Sequence, residues 1–402
     1  MTTRRDFLKA STLASTLLFV PSFLHRLDAH SLLSLRDAAG RRLVVVQLSG
    51  GNDGLNTVIP FEDDLYFKAR PTLGIRPQSG IHTLDKGLGF NPAMRRLKGL
   101  YDQGHVAVLN SVGYPNPDRS HFRSMDIWQS GSGADESLTT GWLGRYLDSN
   151  CAPCALPYNG VEVDDTLSLA MKGRQRKGLA LKSPEKFHQL TQGRLLAKIG
   201  REQPGSSLSE VDYLYKTLAE TASSADYLYQ KSKVYKSAVT YPNSEFGKSL
   251  KITAELINSG VESRVFYVSL SGFDTHVRQQ EQQARLLGDL SEGLGSFAED
   301  LQKAGNFDDT LVLVFSEFGR RVGQNASNGT DHGTANNVLL LGGGLRRKGI
   351  LNNAPNLQNL DAGDLKYQLD FRSVYATVLH DWLQADDKVI LGSSFERLKG
   401  LV

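Results

Sequence analysis

Ionisable residues collect at three places where an apolar, β-branched run gives way to glycine. Residues 311–315 (LVLVF) are followed at once by Glu317 and Arg320, and then, past a glycine- and asparagine-rich loop, by Asp331 and His332. Residues 41–48 (RRLVVVQL) run into Ser49-Gly50-Gly51-Asn52-Asp53-Gly54, and residues 264–270 (RVFYVSL) into Ser271-Gly272-Phe273-Asp274-Thr275-His276. Asp274 and His276 lie two apart, so in an extended chain both side chains point the same way and can share one cation. Carboxylates and imidazoles gathered from separate strand ends suit a divalent metal ion. Oxygen ligands favour Mg, Mn or Ca, and added imidazole moves the preference toward Zn or Mn. The expected metal shell is Asp53, Asp274, His276, Glu317, Asp331 and His332, although Asp53 taken alone is equally an Asp-Gly turn without chemistry. The G-G-N-D-G spacing lacks the third glycine of a dinucleotide-binding turn.

A fourth stretch adds a hydroxyl. In GYPNPDRSHFRSMDIW two prolines stiffen the approach to Ser120-His121, which opens a helix carrying Phe122, Met125, Ile127 and Trp128. A serine at a helix start sits where the macrodipole and free N–H groups favour negative charge, which suits a nucleophile or a bound oxyanion. It also suits an ordinary N-cap.

The elements that must position these residues alternate. Strands are expected at 41–48, 105–110, 264–270, 311–315 and 338–341, and helices at 92–104 with Asn91 as N-cap, 244–259, 280–304 and 369–383, the last with His380 in a structural role. Short apolar strands covered on both faces, alternating with amphipathic helices, predict an α/β fold with a doubly wound, mostly parallel sheet and helices on both faces. In such sheets ligands bind outside the carboxyl ends of the strands, where the polar residues above are placed. Residues 160–242 differ in character, with a Pro-Gly-Ser-Ser linker and tyrosines 213, 215, 227, 229 and 235, and read as a helical insertion in which the tyrosines pack rather than line a channel. The whole of 30–402 is expected to be one domain carrying that insertion.

The first 29 residues have the order of an export signal: Arg4-Arg5, a short and Ser/Thr-rich apolar run, then polar residues, with cleavage expected near Ala29. Removing them takes away four basic and two acidic residues, so the net charge of +3 falls to +1. A near-neutral chain gives no electrostatic reason to bind nucleic acid or an anionic membrane, and no other run is long and apolar enough to span a bilayer. Cys151 and Cys154 are expected to form a short local disulfide after export.

S/T-R-R-x-F-L-K resembles the twin-arginine translocation signal, which implies a bacterial protein handled by that translocase and released to the periplasm or beyond. LSGGNDGLN, RSHFRSMDIWQSG, SLSGFDTH, FSEFGRR, TDHGTANN and DFRSVYATVL together resemble domain-of-unknown-function family 1501, exported bacterial proteins grouped with the alkaline-phosphatase-like superfamily. The resemblance implies metal ligands on loops after the strands and a hydroxyl nucleophile at a helix start. By position Asp53 matches the ligand after the first strand and Ser120 the nucleophile. Asp274, His276 and His332 match further ligands, and Arg320 would pair with substrate oxygens or brace the loop. The implied activity is metal-dependent hydrolysis or transfer of a phosphate or sulfate ester, with a substrate carried on a small molecule or a polymer. Two departures stand out: Glu317-Phe318 where the superfamily hydrolases show Asp-His, and a short gap between Asp274 and His276. They keep a competing class open, a non-catalytic periplasmic binding or assembly protein that retains the fold.

Overall fold

The structure, a computed structural model, describes residues 40–149, 157–192 and 209–402, without the side chains of 209–216. The export signal, Cys151 and Cys154, and the side chains of Tyr213 and Tyr215 lie outside the described residues. Strand β1 (Arg42–Ser49) shows how the sequence splits the interior. Leu43 and Val45 enter one apolar layer, and Val44, Val46 and Leu48 enter another. A strand that is apolar on both sides has to be covered on both.

The other strands of the nine-stranded sheet are β2 (Val106–Gly113), β3 (Gly160–Glu162), β4 (Leu179–Ala180), β5 (Val265–Ser271), β6 (Thr310–Ser316), β7 (Asn336–Leu341), β8 (Gly349–Ile350) and β9 (Leu369–Asp370). Their order is β8-β2-β7-β6-β1-β5-β3-β4, with β9 also on β2. All pairs are parallel except those of β7, which runs antiparallel to both β2 and β6. One face is covered by α2 (Arg95–Asp102), α7 (Glu245–Asn258) and α8 (Gln279–Ala304), through Leu97, Leu250, Leu287 and their neighbours. The other is covered by α3 (His121–Ser130), α4 (Trp142–Ser149) and α9 (Phe371–Thr377). There Trp128 stacks on Phe315 and Phe371, and Trp142 on Tyr375. This is the doubly wound, mostly parallel sheet that the alternation predicts, and it forms one compact unit from Arg42 to Val402.

Register decides where the chemistry sits. Ser49 pairs with Ser271, and Leu48 with Ser316, so the loops beginning at Gly50, Gly272 and Glu317 leave the sheet along one edge. Because β7 is antiparallel, the chain that leaves β6 at that edge re-enters the sheet at Asn336, opposite Val112 at the end of β2. Residues 317–335 and the approach to α3 therefore share that edge with the glycine loops.

Several boundaries differ from expectation for local reasons. Helix α2 begins at Arg95 rather than Pro92, because Asn91 Oδ1 accepts from Ala93 N and its carbonyl from Met94 N, which closes a turn first. Helix α9 begins at Phe371 because Leu369 and Asp370 extend the sheet, and it ends in a π turn over Val378–Trp382. His380 in that turn is exposed and paired with Asp381. Segment 160–242 is not wholly helical: β3 and β4 add two strands to the sheet before α5 (Pro184–Thr191) and α6 (Ser209–Ser232). Strands of two or three residues are too short to show a period. Its described tyrosines pack as expected. Tyr227 stacks on Tyr158 and Tyr229 on His188, while the Tyr235 hydroxyl donates to Asp300.

The β3 residue Glu162 is buried with Oε2 accepting from Ser168 N at 2.8 Å, and burial pushes its pKa up to about 7. The folded state then holds a proton that the unfolded chain gives up near 4.5, so stability is full below that pH and falls until about pH 7. The loss is about 3 kcal/mol at most. Glu162→Gln is expected to flatten this slope and to be the more stable protein above pH 7, as read by denaturant midpoints across pH 4.5–8. An unchanged slope would show that another group sets it.

Candidate metal centre and active site

Asp274 lies at the centre of three imidazoles. Its Oδ1 is 3.0 Å from His276 Nε2, 3.2 Å from His332 Nε2 and 3.4 Å from His121 Nε2, and the two nitrogens of His276 and His332 are themselves 3.0 Å apart. Ligand atoms held about 2.0–2.1 Å from a tetrahedral ion are separated by about 3.3 Å. The spacing matches. Ligand atoms of His121, Asp274 and His332 all lie within 4.8 Å of one another.

The far side of each ring explains why these nitrogens converge. His121 Nδ1 donates to Glu317 Oε1 at 2.9 Å, His332 Nδ1 to the Arg119 carbonyl at 2.8 Å, and His276 Nδ1 faces Asp331 Oδ1 at 3.3 Å. Each partner is an oxygen that can only accept, so the proton belongs on Nδ1 and the Nε2 lone pair points inward. His121 Nε2 is buried and has no hydrogen-bond partner. Lone pairs facing one another across 3 Å repel unless a proton or a cation lies between them. A divalent ion fits this donor set.

Electrostatics favour the charged forms. Partial burial pushes the Asp274 pKa up, but the hydrogen bond and charge of Arg320, with the neighbouring His332 and His276 rings, outweigh it and hold the carboxyl at about 2. The hydrogen bond to Glu317 raises the pKa of His121 against the opposing effect of burial. The bond from Asn325 lowers that of Asp331, against a smaller upward push from desolvation, with His276 adding to the fall.

The loops are held together by Arg320, whose side chain is fully buried. It donates to the carbonyls of Gly50, Gly51, Thr330 and Phe273 and to Asp274 Oδ1 at 2.7 Å. These contacts are those of the loop brace, one of the two roles expected for Arg320. Gly50 has φ +117°, and a Cβ there would lie 2.4 Å from Asp274 N, so only glycine lets the first loop pass this close. Its N–H donates to Glu317 Oε1 at 2.8 Å.

Each residue expected in the shell now has a place. Asp274, His276 and His332 are brought together. Glu317 and Asp331 stand one layer out, Glu317 fully buried with Oε1 on Gly50 N and His121 and Oε2 on Ser316 Oγ. Asp53 is committed elsewhere. Its carboxylate is 1 % exposed, gripped by Arg70 at 2.5 and 3.0 Å and by Gln279. Arg70 lies 17 residues downstream of it, too far to be paired by spacing. Ser120 is exposed at the N-cap of α3 with its hydroxyl unused for capping, and its N–H donates to Asp118 Oδ1. His121 was not among the expected ligands. Its only signal was adjacency to Ser120 at a helix start.

A family model described as "Protein of unknown function (DUF1501)" matches residues 107–393. No curated protein matches the sequence. Among solved structures, the chain is similar to a sulfatase from Pseudoalteromonas sp. at 14 % identity, covering 94 % of this chain and 75 % of that one with a TM-score of 0.42. A phosphonate monoester hydrolase from Silicibacter pomeroyi matches at 9 %, covering 89 % and 78 % with a TM-score of 0.38. A protein in the alkaline phosphatase superfamily from Vibrio parahaemolyticus matches at 11 %, covering 78 % and 62 % with a TM-score of 0.36. At these scores the likeness carries nothing about substrate.

The Arg70–Asp53 pair makes a direct prediction. Arg70→Ala leaves a buried carboxylate unpaired and is expected to cost about 3–5 kcal/mol in denaturant unfolding, whereas adding Asp53→Asn recovers much of that loss. If the double variant is no more stable than Arg70→Ala alone, the pair is not what holds this corner.

Proposed function

The chain belongs to this family of proteins of unknown function, and on that premise we propose that it is an exported, metal-dependent hydrolase or transferase acting on phosphate or sulfate esters. The observation that carries the reading is the convergence of three imidazoles on Asp274, each ring locked from behind by an acceptor. Asp274, His276 and His332 would hold the ion with His121 beside them, and three nitrogens with one oxygen favour Zn or Mn over Mg or Ca. An ion bound there supplies Lewis acidity to the ester oxygens and to the departing alkoxide.

The chain's own residues do the rest. Ser120 is exposed, its hydroxyl is free of capping, and it adjoins His121 and the uncapped N–H groups of the first turn of α3, where negative charge is favoured. In the proposed cycle a bond forms between Ser120 Oγ and the phosphorus or sulfur as the bond to the ester oxygen breaks, and the alcohol departs with the serine proton. Water, or an acceptor alcohol in a transferase, then displaces the serine and restores its hydroxyl. The Arg70 grip on Asp53, with Phe318 in place of an imidazole, supports a single ion. The twin-arginine pattern supports periplasmic or secreted location, and among the described residues no helix is long and apolar enough to cross a membrane.

Protein exported in its native host is expected to carry one divalent ion per chain by elemental analysis. Asp274→Ala and His332→Ala should lose it. Ser120→Ala should keep it while turnover of aryl phosphate or sulfate esters drops by about 1,000-fold or more. Metal-free protein, together with unchanged behaviour of the Asp274 variant, would leave the non-catalytic class standing. Glu317→Gln replaces the charged carboxylate behind His121 by a neutral amide and is expected to weaken metal binding about 10–100-fold in competition with a chelator. Unaltered affinity would remove Glu317 from the supporting shell.

A further inference from the structure

Beside the cluster lies a cavity of about 430 Å³, inside the range of roughly 300–1,000 Å³ typical of small-molecule sites. Tyr367 gives it an exposed aromatic face, the buried Tyr114 and Phe318 border it, and Asn116, Asp361 and Thr334 line it with polar groups. It is built from the segments that deliver the metal shell. Tyr114 and Asn116 precede Ser120 and His121, and Thr334 follows His332. Phe318 is the shared wall, its ring centroid 4.8 Å from that of His121 and 4.9 Å from that of His332. Phe318, itself buried, thus borders the cavity and packs against two imidazoles of the cluster.

The polar groups describe the occupant. The Thr334 hydroxyl is spent on the Leu365 carbonyl, and Lys366, also on the wall, donates Nζ to Asn359 Oδ1 at 2.7 Å. Among the described residues neither the Asn116 amide nor the Asp361 carboxylate makes a side-chain hydrogen bond, and the Tyr367 hydroxyl has no partner. The wall therefore carries two charges of opposite sign, the Asp361 carboxylate and the Lys366 ammonium, which donates to a neutral amide. Hydroxyls match such a wall, because they donate to a carboxylate and accept from an ammonium. An aromatic face beside these groups suits a ring with apolar C–H surfaces and a hydroxylated edge.

We propose that this cavity binds the alcohol portion of the ester and that this portion is a sugar ring. One face would lie against Tyr367, and its hydroxyls would donate to Asp361, accept from Lys366 and exchange hydrogen bonds with Asn116. The assignment rests on the ester-processing reading for what the sugar carries, but the cavity's own preference can be measured without turnover.

The test is ligand binding by saturation-transfer NMR and calorimetry on the full chain, with and without added zinc, using the methyl α-glycosides of glucose, galactose and mannose, with cyclohexanol and phenol as ring-sized controls. At least one glycoside is expected to bind in preference to both controls. Asp361→Ala and Asn116→Ala, both at exposed positions, should each weaken it about tenfold or more while the protein's zinc content is unchanged. Absence of binding by all three glycosides, equal binding by the variants, or tighter binding of cyclohexanol or phenol would overturn the assignment. A protein that binds the glycoside yet hydrolyses no ester refutes the proposed activity and leaves the sugar site standing.

Discussion

A single buried guanidinium ties the site together. Arg320 reaches the carbonyls of Gly50 and Gly51 after β1, of Phe273 after β5 and of Thr330 before β7, and it also pairs with Asp274. A buried cation is costly unless its donors are satisfied, and a planar fork can satisfy oxygens lying in several directions at once. Lysine, with one compact head, would leave most of these carbonyls unpaired. Three loops, two of them also joined by the backbone bond from Thr330 N to the Thr275 carbonyl, are thereby held to a common geometry, and His276 and His332 around Asp274 inherit their placement from it.

How much of this was legible in the sequence follows from the range of each interaction. The strands announced themselves because four or five apolar residues in a row need cover on both faces, and glycine after each marked the edge where polar groups collect. Asp274 and His276 were legible because spacing of two fixes a shared direction. The roles of Glu317 and Asp331 were not. A carboxylate that binds a metal and one that holds a histidine behind it have the same residue type and the same neighbours in sequence, and only the partner across the fold separates them. His121 belongs to the same class of omission, since its contacts with Glu317 and Asp274 span more than 150 residues.

Asp53 shows the limit most clearly. Its place after β1 matches a ligand position, yet Arg70 supplies a permanent cation there. Arg70 also donates to Asn56 and to the Arg321 and Val322 carbonyls, so the corner is a closed, satisfied network. A positive group carried by the chain cannot leave or exchange ligands as an ion does. The charge that balances Asp53 is part of the fold.

Phe318 borders the cavity and packs against the rings of His121 and His332. Two ligands that each bind against one side chain are thermodynamically linked. Whatever factor an occupant of the cavity applies to the affinity for the ion, the ion must apply the same factor to the affinity for that occupant. A phenyl ring that borders both the cavity and the imidazoles is thus the group through which such a coupling would pass.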